Sequence, residues 1–85
     1  MVKIPQTLRK NGFNYKLIKR TKLKAMYRME YGDNEYFYEV FLIQVKKPDK
    51  YSPFEREVFP SDKDFGRTAW AYMSLCRAEQ KYEGI

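Results

Sequence analysis

Residues 59–72 read "FPSDKDFGRTAWAY", and the backbone this stretch adopts decides how the second half of the chain folds. Ser61 is a good helix N-cap, and Asp64 three positions later can reciprocate. Asp62 and Asp64 also bring negative charge to the positive end of a helix dipole. From Phe65 to about Tyr82 the spacing is helical. It places Phe65, Ala69, Tyr72, Met73 and Cys76 on one side, joined by Leu75 and Tyr82. Gly66 suits a bend in the first turn, and Gly84 suits a terminator. The pattern predicts a helix over residues 61–83. A rotation of about 100° per residue gathers Arg67, Trp70, Ser74, Arg77 and Lys81 on the opposite side. The chain's single tryptophan thus borders a basic strip. Two readings stay open: it packs under the 51–59 loop, or it anchors a partner.

Working back from this stretch, the chain reads as strands. "FNYKLIKRT" follows the turn signal Asn11–Gly12 and alternates Phe13, Tyr15 and Leu17 with Asn14, Lys16 and Ile18. In "KLKAMYRMEY", Ala25, Tyr27, Met29 and Tyr31 share one face, and Lys24, Met26, Arg28 and Glu30 the other. Residues 32–34, "GDN", tolerate the positive φ angles of a tight hairpin. "EYFYEVFLIQVKK" is apolar on both faces, which suits a central strand. Phe37, Phe41, Ile43 and Val45 line one side, interrupted by Glu39, and Tyr36, Tyr38, Val40 and Leu42 the other. Pro48 ends it. Residues 47–60 form a loop in which "EREVF" is a candidate short fourth strand. The expectation is one α+β domain over residues 1–85. It has a basic lead-in over 1–12 and two layers: a three- or four-stranded antiparallel meander with one C-terminal helix packed on it.

Eighty-five residues bury a modest fraction of their surface, and the many aromatic rings compensate by removing large apolar areas from water. The net charge of +6 is unevenly spread. Residues 1–31 carry nine Lys/Arg against one acid, a surplus of eight, and the remainder has eight basic and ten acidic residues. Such asymmetry favours an anionic partner, although it also serves a solvated basic face. No apolar run is long enough to cross a bilayer or to act as a signal peptide. The lone Cys76 cannot form an intramolecular disulfide, so a cytoplasmic location is expected.

The pattern "YEVF" at 38–41, Phe59–Ser61, Asp64–Gly66, Ala69–Trp70 and Ala78–Glu79 resembles small proteins encoded by bacteriophages and mobile elements. The resemblance covers roughly the last two thirds of the chain. It implies an accessory role in phage or host–phage biology and brings no catalytic residues with it.

Catalysis is not expected from the residue types present. Histidine is absent, which removes the commonest general base and transition-metal ligand. One cysteine makes no thiolate cluster, and its apolar neighbours Tyr72 and Met73 suggest a small core residue. No nucleophile elbow surrounds Ser52, Ser61 or Ser74, and the four glycines form no phosphate loop. Asp62 and Asp64 could hold a hard cation, but capping accounts for both. No cofactor is implied.

Three binding roles remain. In the first, nucleic acid or a nucleoprotein complex meets the sheet. Lys16, Arg20, Lys24 and Arg28 contact phosphates while Tyr36 and Tyr38 stack on bases; ordinary cross-strand packing is the competing role for the tyrosines. In the second, an inhibitor or adaptor binds a host or phage protein through Arg67, Trp70, Arg77 and Lys81. The third is a homodimer formed through the sheet edges.

Overall fold

Asn11 and Gly12 both take positive φ, 54° and 82°, the backbone of a two-residue hairpin whose twist matches its flanking strands. The turn folds Thr7–Lys10 (β1) onto Phe13–Arg20 (β2), with Lys10 opposite Phe13. A third of the expected lead-in, residues 7–10, is therefore a strand. Lys24–Glu30 (β3) and Tyr36–Leu42 (β4) continue the meander antiparallel. The computed structural model describes residues 2–32 and 35–85. Asp33 and Asn34 of the expected 32–34 turn lie outside them, while Gly32 has the positive φ that glycine favours, 67°. The strand expected to run on to Pro48 breaks at Ile43: Gln44–Lys46 (β5) leaves the meander and pairs with Arg56–Val58 (β6) in a separate two-stranded sheet, so part of "EREVF" is a strand.

The opening stretch departs from the helix its spacing suggests. Asp64 does cap: its carboxylate accepts from the Ser61 N–H at 2.8 Å and from the Ser61 hydroxyl at 3.2 Å. That cap closes only a 3₁₀ turn, Asp62–Asp64. Gly66 then turns at φ 87°, and its N–H donates to the Ala69 carbonyl. Ala69–Tyr72 (β7) runs antiparallel to β4, pairing Ala69 with Phe41, Trp70 with Val40 and Tyr72 with Tyr38. The helix proper, Leu75–Gly84 (α1), starts after Ser74, whose Oγ accepts from the Arg77 N–H. The alternation Ala–Trp–Ala–Tyr, small on one face and aromatic on the other, is what the strand uses. As a result Phe65, Met73, Leu75 and Cys76 are exposed instead of core.

The product is an α+β fold: a five-stranded antiparallel sheet ordered β1-β2-β3-β4-β7, with the C-terminal helix packed on it. Its two faces are buried differently. On one, Tyr15, Ala25, Tyr27, Phe41 and Ala69 lie under Ile4 and Phe59, with the Phe59 ring 5.0 Å from Tyr27 and 5.8 Å from Phe41. On the other, Met26 and Val40 lie under Ala78 and Tyr82 of α1, flanked by Tyr38, Tyr72 and Ile85. The helix is short, so it covers only part of its face.

Glu39 is the polar intruder on the Phe59 face, opposite Tyr27 and Ala71. Burial pushes its carboxyl above the ordinary value, opposed by the Lys10 charge and by Tyr15. A carboxyl raised in the folded state contributes stability below its unfolded pKa and loses it as pH rises through the folded value. Glu39→Gln is therefore expected to stabilise the protein at about pH 7 by about 0.5–1 kcal/mol, limited by residual solvent contact. Urea titrations should show that advantage shrinking toward about pH 4. An equal advantage at both pH values would mean that ionisation is not its source.

Candidate nucleic-acid interface

Strand register converts the alternation of β1, β2, β3, β4 and β7 into rows across the sheet. On the helix-bearing face one row runs Thr7, Lys16, Arg28, Tyr38, Tyr72. The adjacent row runs Arg9, Asn14, Glu30, Tyr36. Neighbouring strands lie about 4.8 Å apart, so Lys16 to Tyr72 spans about 14 Å. Lys16 is exposed, and Arg28, Tyr36, Tyr38 and Tyr72 are half-buried. Tyr38 and Tyr72 rest on the Met26–Val40–Ala78–Tyr82 cluster.

Arg28 is held on two sides. Its Nη2 reaches Glu30 Oε1 at 3.0 Å, and its guanidinium carbon lies 4.8 Å from the centre of the Tyr36 ring. The neighbouring Nε–H is buried without an acceptor among the described residues. A cation held in place and still partly exposed, set between tyrosines, suits an anionic ligand.

Tyr72 carries the row into a second group. With Arg77, Gln80 and Lys81 it lines a shallow groove beside the helix. Lys81 Nζ sits 4.0 Å from the centre of the Trp70 ring, a cation–π contact that joins the helix to the edge strand. Because residues 69–72 form a strand, the two candidate groups read from the sequence become neighbours through Tyr72. Helical spacing had assigned Tyr72 to the core, although its alternation with Trp70 was the available signal. Arg67 is exposed beyond Gly66 and does not line this groove.

Two candidates, Arg20 at the end of β2 and Lys24 at the start of β3, are committed elsewhere. A bulge between Leu17 and Lys19 inserts Ile18 without a partner and reverses the alternation, so Arg20 pairs with Ala25 on the Phe59 face. There it forms a bidentate pair with Glu57, at 2.6 and 2.7 Å. Lys24 stays on the helix side, but its ammonium donates to the carbonyls of Tyr82 at 2.6 Å and Ile85 at 3.2 Å and lies over the Tyr82 ring. It caps the end of α1. Lys19, also over Tyr82, is 3.6 Å from Glu83.

Among the described residues no group of three or more Cys, Asp or Glu side chains could hold a metal ion. Asp64 spends its carboxylate on Ser61, whose hydrogen bonds hold it below the ordinary range. Tyr15 and Tyr27 are pushed up to about 12, chiefly by burial, which makes them neutral core rings. No described helix is long and apolar enough to cross a membrane. No protein-family model, curated protein or solved structure matches this chain.

Proposed function

We propose that this chain is a non-catalytic binding protein that holds single-stranded nucleic acid, alone or within a nucleoprotein complex, on the open part of its helix-bearing sheet face. The observation that carries the reading is the cross-strand row in which Lys16 and Arg28 stand beside Tyr38 and Tyr72. Cations on one half of the row suit phosphates, and rings on the other half suit bases. Base–aromatic stacking tolerates sequence, because every base has a π face. Arg77 and Lys81 extend the positive track past Tyr72. The resemblance to small phage-encoded proteins fits an accessory role of this kind. A protein anchor at Trp70 has less support, since Lys81 occupies one face of the indole.

Fluorescence anisotropy with labelled single-stranded oligonucleotides across a salt series tests the reading. Three or four phosphate contacts predict a slope of about −2 to −3 in log K against log salt. The tryptophan emission should change on binding, because Trp70 borders the track. Absence of binding at low salt, or an affinity indifferent to salt, would exclude it.

A further inference from the structure

We infer that a second surface, at the far end of the strands from Tyr36, takes an acidic protein segment anchored by an apolar side chain. A groove there is lined by Leu23, Ile43 and Val45, with Lys3, Lys22 and Glu57 around them. Leu23 is 71% exposed and Val45 46%, yet the leucine is not loosely held. The Thr21 hydroxyl oxygen accepts from the N–H groups of Leu23 and Lys24 at 3.2 Å. The Leu23 carbonyl accepts from the Ile43 N–H at 2.8 Å. A large apolar side chain displayed on a hydrogen-bonded backbone needs little main-chain ordering on association, which lowers its cost.

The charges around the groove specify the occupant. Glu57 is already neutralised by Arg20 and accepts from the Ile4 N–H at 3.0 Å. Lys3 and Lys22 belong to none of the ion pairs among the described residues. The surface therefore offers an aliphatic floor and two available cations. None of its lining residues is aromatic, so a base finds nothing to stack on, which separates it from the tyrosine row. Concavity suits one inserted side chain better than the flat plane of a lipid surface. A leucine-like anchor flanked by carboxylates satisfies all of these features. This inference does not depend on nucleic-acid binding. Combined with it, the chain would join a nucleic acid to an acidic protein.

The test uses the full chain and a fluorescein-labelled peptide with two adjacent leucines flanked by glutamates and glycines. Matched peptides replace the leucines by serine or the glutamates by lysine. Anisotropy should register the leucine–glutamate peptide, with affinity at least about tenfold weaker for either matched peptide. Leu23→Ser and Lys22→Glu should each weaken it about tenfold, with circular dichroism unchanged because both sites are exposed. Unlabelled single-stranded oligonucleotide should leave the peptide bound. The inference is overturned by failure of the peptide to bind, or by equal binding to both variants. Displacement by the oligonucleotide overturns it too, as does variant-sensitive binding confined to phosphatidylserine vesicles.

Discussion

Arg20→Met is expected to lower the unfolding free energy by about 3 kcal/mol, measured by urea denaturation at neutral pH. The pair it breaks is well shielded: the Glu57 side chain is 4% exposed and that of Arg20 19%. Two short hydrogen bonds join them, and Glu57 also accepts from the Ile4 N–H. Its backbone N–H donates to the Val2 carbonyl. Glu57 thereby ties the β5–β6 hairpin, the N-terminal segment and β2 together around the Phe59 core. Methionine keeps the volume of the arginine stem but leaves a buried carboxylate without its cation. The cost is mostly that uncompensated charge, so Arg20→Met combined with Glu57→Leu should recover most of the loss. For a domain of this size, with total stability on the order of 5–10 kcal/mol, the single variant gives up roughly a third to a little over half of it.

The same pair sets the acid limb of stability. Hydrogen bonding from Arg20 is the largest influence on Glu57; burial opposes it, and the carboxyl is pulled down to about 2 from an ordinary 4.5. A depressed carboxyl contributes stability above its unfolded pKa and loses it as the folded value is approached from above. Wild type should thus weaken between about pH 4.5 and about pH 2. Arg20→Met should lack this acid-side loss, because its Glu57 no longer prefers to be ionised. A cost below about 1 kcal/mol, with the acid limb unchanged, would show that the pair is not what holds the hairpin.

The same residues show where sequence reasoning reaches its limit. Strands β2 and β3 were legible because each alternates over seven or eight residues, enough for a period of two to stand out, and β4 because seven residues apolar on both faces mark a central strand. Arg20 was misplaced because a bulge is a property of register. Ile18 pairs with nothing, and only the opposing strand reveals that two residues face one. Strand β7 has four residues and lies inside a longer stretch with genuine helical spacing and a genuine cap. The cap formed, but Gly66 diverted the chain, and pairing with β4 outweighed local propensity. Lys24 could not be seen as a cap because its acceptors are 58 and 61 positions away. Lys16, Arg28, Tyr36 and Tyr38 converge because they lie on strands whose alternation was read correctly.

Within that converging group, Lys16 and Tyr38 should fail in different ways. Lys16 is exposed and belongs to none of the ion pairs among the described residues. Lys16→Gln should cost a phosphate contact, reducing affinity for single-stranded oligonucleotides about fivefold and flattening the salt slope by about 0.7. Tyr38→Leu keeps apolar bulk against the Val40–Ala78 cluster but removes the ring. If Tyr38 stacks a base, the loss is about 1–3 kcal/mol, or roughly five- to 150-fold, with the slope unchanged because no cation has been touched. Lys24→Gln supplies the contrast: its ammonium serves the end of the helix, so it should lower the melting temperature and leave binding intact. If Lys24→Gln weakens binding as much as Lys16→Gln does, contact is spread over the general positive charge. If Tyr38→Leu binds like wild type, the tyrosine is only packing. The row has a function of its own if the charge and ring variants separate in slope and affinity while the helix-capping lysine affects only stability.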